Sequence, residues 1–382
     1  MGNTNSCQKE PVKKKETIFK NEVYRIPALF YNRDENILMA FAEKRTNEND
    51  SSTEALVMKT GKVKKEEMEV TIKWSEQKTL IEKGSHRPMN PCPLYEKNNK
   101  TLFLFFIRVE GECTEQWQID HNQNKARLCY VKTTDNGQSW SDETDLTHSL
   151  VEIKHWATFA VGPGHGLQTE SGRLIVPVYA YVSGKSSAPH AVSLYSDDKG
   201  ETWKFGKMLK NESLECQMAE YFDHSGNSLI YCNARTKGSY REEDISHNKG
   251  EDFSKLSCFF CFYKNLVETT GGCQGSVVSF PDQDGNIGGE SSQNQNKWLL
   301  FTHPSDKSKR SKLGVYVNKS PKDPSAWSAP WVINCGFSGY SDLAYIDEGW
   351  FACLMECGEK KYNEQIAFQM FSYNEVKQAI KK

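Results

Sequence analysis

The chain has 382 residues, with 48 Lys and Arg against 50 Asp and Glu and a formal net charge of −2, and its mean hydropathy is −0.69. Balanced charge argues against a nucleic-acid partner, which needs a basic face, and no window approaches the roughly 20 apolar residues that span a bilayer. The expectation is a soluble globular chain, long enough for several domains or for one large all-β domain.

The chain opens Met1-Gly2-Asn3-Thr4-Asn5-Ser6-Cys7, without the charged region and apolar run of a secretory signal. Gly2, with Ser6 four positions on, fits N-myristoylation. One myristoyl chain holds a protein to a membrane only marginally, so stable anchoring needs a second acyl group on Cys7 or the basic run Lys13-Lys14-Lys15. Residues 1–17 read as an arm carrying a lipidation signal and 18–382 as one domain. The expected location is the surface of the plasma membrane or an endomembrane, with a cytosolic pool as the alternative. Outside the secretory pathway the 12 cysteines are expected to be reduced and mostly buried, and the sequons at Asn49, Asn211 and Asn318 unused.

Beyond residue 17, short apolar or alternating runs separated by turn residues read as β-strands at 37–42, 101–109, 173–182, 228–233, 298–303, 351–355 and 366–371. Cys258 and Cys261 form the only CxxC, inside an apolar run with no second pair or nearby His, so no metal is expected. The stretch 282–296 is rich in Gly, Gln and Asn and is expected to be an exposed loop.

Turns carry the clearest repeat. Thr133-Thr-Asp135-Asn-Gly137-Gln-Ser-Trp140 and Ser196-Asp-Asp198-Lys-Gly200-Glu-Thr-Trp203 share [ST]-x-D-x-G-x-[ST]-W, and Ser246-His-Asn248-Lys-Gly250-Glu-Asp-Phe253 is a degenerate copy. Asp caps its own turn, Gly supplies φ > 0 and the aromatic packs the turn down. Spacings of roughly 50–60 residues suit one four-stranded unit each, and hence a β-propeller. The length gives about six blades, with seven left open.

These octapeptides resemble the Asp boxes of sialidases, and Tyr24-Arg-Ile-Pro27 resembles that family's Arg-Ile-Pro motif. The likeness runs nearly end to end through Ala40-Phe-Ala-Glu-Lys-Arg45, His86-Arg-Pro-Met-Asn-Pro-Cys-Pro93, residues 155–165, Gly272-Cys-Gln-Gly-Ser276 and Gly339-Tyr-Ser-Asp-Leu343. It is strongest to the plasma-membrane-associated ganglioside branch of the animal sialidases. The resemblance implies an all-β, six-bladed β-propeller with Asp-box turns and an exo-α-sialidase that needs no cofactor and acts on sialylated glycolipids or glycans. The Asp boxes are then structural.

The same resemblance assigns the site. Sialic acid carries a carboxylate, and Arg grips a carboxylate with a planar, permanently charged fork; the motif positions are Arg25, Arg235 and Arg310, with Glu43 expected to orient Arg25. Tyr340 matches the nucleophile. A neutral phenol approaches a carbon bearing a carboxylate without the repulsion an Asp or Glu would meet, but its pKa near 10 demands a base. Glu215 matches that base, with Glu220 as the nearby competitor. Asp50 matches the acid that protonates the leaving oxygen. Arg45, Met89, Asn90, Glu115, Tyr179, Tyr181 and Gln274 are expected as walls around the N-acetyl and glycerol groups. Rival readings are a soluble sialidase of oligosaccharides and glycoproteins, a trans-sialidase, and a sialic-acid-binding propeller without catalysis.

Overall fold

The strand runs legible in the sequence are all interior strands of antiparallel sheets, and their burial shows why they read as continuous apolar runs. Leu174–Val182 is buried along nearly its whole length, because both faces of its sheet are covered by neighbouring sheets. The computed structural model describes residues 15–66, 69–184, 188–256, 266–283 and 296–381. Gly2, Cys7, Cys258, Cys261 and most of the 282–296 stretch lie outside the described residues.

The first sheet runs Val23–Asn32, Ile37–Arg45, Thr53–Glu66 and Glu69–Trp74, with Lys78–Glu82 also on its third strand. The second is His86–Glu96, Thr101–Glu110, Ala126–Thr133 and Thr144–Asp145. The third is Trp156–Val161, Leu174–Val182, Pro189–Ser196 and Lys204–Phe205, and the fourth Cys216–Phe222, Ser228–Ala234, Glu242–Ser246 and Ser254–Lys255. The fifth has seven strands, from Ser276–Pro281 through Trp331–Asp347 to Gln365–Ser372, and Glu16–Phe19 completes its far edge. The beginning of the described chain is thus stapled to its end, and the strand starts inside the stretch the sequence assigned to the arm.

Core clusters close the ring. Met39 and Phe41 of the first sheet pack on Leu104 and Phe106 of the second, and the second meets the third through Phe105, Tyr130, Phe159 and Val176. Ile175 reaches Met218 and Ile230 of the fourth, Tyr221 and Tyr231 reach Phe301 and Tyr316 of the fifth, and Leu354 and Phe368 return to Leu38 and Val57 of the first. This is a β-propeller. Hydrogen bonding separates five sheets rather than six units: in the long strand Trp331–Asp347 the early residues pair with Ser311–Asn318 and the later ones with Trp350–Gly358.

All three octapeptide turns join the third strand of a sheet to its short outer strand. Asp135 accepts hydrogen bonds from the Ser139 N–H and Oγ at 2.9 and 2.6 Å; Asp198 does the same for Thr202 N at 2.9 Å, and Asn248 for Asp252 N at 3.0 Å. Gly200 shows why glycine is required: its φ is +94°, and a Cβ there would lie 2.5 Å from Cζ of Phe103 in the preceding sheet. The turn is a wedge docked on its neighbour.

Seven of the eight free described cysteines are buried. Cys335 departs from the reduced state expected of all of them: it is exposed and disulfide-bonded, an exposed thiol being open to a partner that a buried one cannot meet. Among the described residues no helix is long and apolar enough to cross a membrane.

Candidate active site

One face of the propeller is defined by where its strands begin and end. Arg25 lies near the start of Val23–Asn32, Arg45 ends Ile37–Arg45, Met89 and Asn90 lie near the start of His86–Glu96, Glu215 immediately precedes Cys216–Phe222, and Arg310 precedes Ser311–Asn318. The pairing register breaks at several of these places, between Arg25 and Ala28, Met89 and Cys92, and Ser338 and Ser341. Such bulges re-aim side chains out of the regular pleat. At the first of them Ile26 takes φ +58°, a strained conformation for a β-branched residue.

At the centre the Tyr340 hydroxyl donates to Glu215 Oε1. Arg235 Nη1 donates to the other Glu215 oxygen at 2.8 Å and to the Tyr340 oxygen at 3.0 Å. Burial, and then the Glu215 charge, push the Tyr340 phenol well above its ordinary pKa, against the pull of Arg235 and Arg310. Glu220 is not a competitor for the base: it accepts from Ser228 Oγ at 2.5 Å and the Glu170 N–H at 2.8 Å, away from Tyr340.

The arginines surround the tyrosine. The guanidinium carbons of Arg25 and Arg310 lie 5.4 and 5.3 Å from the centre of its ring. Arg235 and Arg310 are braced by the carbonyls of Gly271 and Gly272, at 2.6 and 2.8 Å. Gly272 has φ +71°, and a Cβ on it would come within 2.6 Å of Arg235 Nε, so only glycine lets the two arginines converge. Nη2 of Arg25 and Nη1 of Arg310 have no hydrogen-bond partner among the described residues, which leaves donors for an incoming carboxylate.

Glu43 does not orient Arg25. Arg25 Nε is held at 2.7 Å by Glu356, which also accepts from the Ile26 and Tyr340 N–H groups at 2.9 and 3.1 Å. Glu43 lies across the sheet and binds Arg45 Nε and Nη2 at 2.8 and 2.6 Å, Thr53 Oγ1 at 2.9 Å and the Asn90 N–H at 2.7 Å. Arg45 is wholly buried, and its Nη1 donates to Asp50 at 2.7 Å. Asp50 sits on the short helix Asp50–Ser52 with its carboxylate also 3.8 Å from Arg25. Its surroundings act to raise the Asp50 pKa by desolvation, but Arg45 and Arg25 outweigh this and hold it below its ordinary value.

Tyr179 and Tyr181 present both rings to one side, 6.4 Å apart and edge to face. Tyr179 donates to Glu115 at 2.7 Å, and Glu115 leads the helix Glu115–His121, which Thr114 caps. Withdrawal from water raises the Glu115 pKa, and the Glu215 charge adds to it. Met89 remains half-buried. Gln274 is 1% exposed, donates to Pro163 O at 3.2 Å and accepts from Ser341 N at 3.0 Å.

A BNR repeat-like domain matches residues 36–353. Sialidase-3 of Rattus norvegicus is 41% identical, over 94% of this chain and 94% of its own, and Sialidase-2 of Mus musculus is 41% identical over 96% and 97%. The chain belongs to the sialidase family. Its fold is that of the sialidase Hz136 from a Hadza microbial source, at TM-score 0.73 and 19% identity over 92% of this chain and 66% of that one. The intramolecular trans-sialidase of Ruminococcus gnavus superposes at TM-score 0.71 and 16% identity, over 95% and 98%.

As a sialidase, and so a glycoside hydrolase, the chain has a second tier of site residues that sequence reasoning missed. Glu356 had a signal: a carboxylate ending the apolar run 351–355 must find a partner when buried. Asp342 had the same signal. It is wholly buried and accepts from the Leu29 N–H, Ser276 Oγ and His165 Nδ1, each at 2.7 Å, joining three inner strands two residues from Tyr340. Burial opposes charge on His165, but Asp342 outweighs it and raises the His165 pKa. Tyr362 stacks on Arg310 and Arg25 at 4.9 and 5.6 Å and gave no signal among the surface lysines around it.

Proposed function

We propose that this chain is a retaining exo-α-sialidase with Tyr340 as nucleophile. One observation carries the reading: a phenol, a carboxylate and a guanidinium converge at Tyr340, Glu215 and Arg235. Arg25, Arg235 and Arg310 grip the substrate carboxylate, fixing the anomeric carbon over Tyr340. The phenolic oxygen attacks that carbon while Glu215 takes its proton, and the bond to the leaving oxygen breaks as Asp50 protonates it. Water then attacks the same carbon from the vacated side. Asp50 takes the water's proton, the bond to Tyr340 breaks and Glu215 returns the phenolic proton, so two inversions give net retention.

Asp50 must carry a proton to begin, yet Arg45 and Arg25 stabilise its anion in the empty site. A bound substrate carboxylate competes for Arg25 and adds negative charge, so its arrival raises the Asp50 pKa. Because kcat/KM reports the free enzyme and kcat the complex, the alkaline limb is expected at lower pH in kcat/KM than in kcat, with the optimum below about pH 6.5. A maximum at pH 8 refutes the role given to Asp50. The direct test is release from a small fluorogenic sialoside by wild type and Tyr340→Phe. Collapse in the variant supports the nucleophile, and full activity in it removes Tyr340 from the mechanism.

On the likeness to the ganglioside branch and on the Gly2 and Cys7 pattern, the substrates are proposed to be gangliosides, met at a membrane surface through the lipidated arm. Membrane partitioning of wild type against Gly2→Ala tests the anchor, and unchanged partitioning removes it. The same reading takes the seven-stranded sheet as two blades sharing Trp331–Asp347, six in all. Its two halves pack against each other through Val278, Leu300 and Val315 on one side and Phe351, Cys353 and Phe371 on the other, as separate blades would.

A further inference from the structure

A cavity of about 350 Å³ opens between the second and third sheets, apart from the catalytic centre. It lies on the same face. His86 on its rim precedes Met89 by three residues on one strand, and Ser183 follows Tyr181 by two just past another. At about 3.3 Å per residue, the rim is roughly 7–10 Å along these strands from the catalytic pocket's walls.

Its floor is apolar, made by Ile153 and Trp156, which are 2% and 5% exposed. Its walls carry Asn124, Thr147 and Ser183, and Lys125, Arg127 and Lys154 face a single carboxylate, Glu110. That carboxylate is spent on Lys125 at 2.7 Å. Among the described residues Arg127 has only Asp145, outside the lining, at 3.8 Å, and Lys154 has no ion-pair partner. Burial and then Arg127 hold the His86 pKa below the ordinary value, against the pull of Glu110. In a chain of net charge −2 this is a local concentration of cations.

We propose that this cavity is an accessory site for the carboxylate of a second sialyl group on the same glycan cluster or micelle, engaged while the first occupies the catalytic pocket. The inference rests on the sialidase reading. The cations match a carboxylate, the amide and hydroxyls match sugar hydroxyls, and the apolar floor matches the C–H face of a pyranose ring. A phosphate shares the anionic chemistry but has no use for that floor. Two linked weak contacts raise affinity without changing the chemistry at either.

The test compares wild type with Arg127→Glu/Lys154→Glu, neither residue belonging to the catalytic machinery, and with Lys204→Glu on the outer strand of the third sheet as a charge control. Substrates are a small fluorogenic sialoside, micelles of a disialylated ganglioside, and a monosialylated ganglioside diluted in neutral micelles with or without phosphatidylserine. The double variant should lose about fivefold in kcat/KM on the disialylated micelles, through KM, and stay within about twofold on the other substrates. A loss confined to phosphatidylserine micelles identifies a phosphate headgroup site and overturns the proposal. Unchanged rates on every substrate, or an equal loss in Lys204→Glu, overturn it too. Titration with methyl α-sialoside in the Tyr340→Phe background, followed by NMR, reads binding without turnover: two sites are expected with the cavity intact and one when Arg127→Glu/Lys154→Glu is added, and a single site in both overturns the proposal. Failure of wild type to release sialic acid from any substrate tells against the sialidase reading, while this titration still decides the cavity.

Discussion

In the 133–140 turn, Asp135 is held by groups two to four residues away, whereas Tyr340 is held by Glu215 from 125 positions away and Arg25 by Glu356 from 331. The rim turn closes on itself and then docks as a unit. At the catalytic centre Arg45 finds its counter-charges locally, in Glu43 and Asp50, but Arg25 and Tyr340 are held by groups that only the ring brings into place. The rim should therefore respond to substitution as stability, and the centre as activity or as both together.

The largest effect belongs to Tyr340→Phe. Removing the hydroxyl deletes the nucleophile while leaving the ring packed with Ile26 and Cys273, so kcat should fall about 10³-fold or more with an unchanged Tm. A variant that is equally inactive but melts early would break the distinction. Glu356→Ala comes next and should cost both properties. It strands a buried guanidinium and two backbone N–H groups, so unfolding should be easier by about 3–5 kcal/mol, measurable by denaturant titration, with kcat/KM falling in the surviving fold. Gly200→Ala sits on the rim and should cost about 1–3 kcal/mol, from positive φ and contact with Phe103, while kcat/KM at 25 °C stays at wild type. Lost activity in that variant would mean the wedge reaches the centre.

The smallest effect is Asp135→Ala. The Ser139 hydroxyl and N–H and the Thr133 hydroxyl draw the Asp135 pKa down to about 2. A depressed carboxylate stabilises the fold above its unfolded pKa of about 3.9, and that contribution is lost as pH falls through the folded value. The variant should melt slightly below wild type at pH 7, and the gap should close as pH falls from about 4 towards about 2. A gap that persists at acid pH would assign the loss to packing rather than to the cap.

Each strand run read from the sequence is a strand in the structure, because an apolar run long enough to cross a sheet reports burial directly. Arg25, Glu215, Arg235, Arg310, Tyr340 and Asp50 were legible through motif likeness, and the ring brings all six together. One role taken from the same likeness did not hold. Glu43 is two residues from Arg45 and far along the chain from Glu356, yet across Val23–Asn32 it is Glu356 that meets Arg25. A strand's two faces and its bulges, not its order, decide what a side chain meets.

What the sequence determined by itself is what its local chemistry enforces, the turn octapeptides and the apolar strands they connect, while the site residues were legible only through their likeness to a family. Tertiary structure alone decided which charge answers which. The buried pair of Arg25 and Glu356 is made by groups that have no contact until the sheets close, and its cost or benefit exists only in the dry, crowded centre that closure creates.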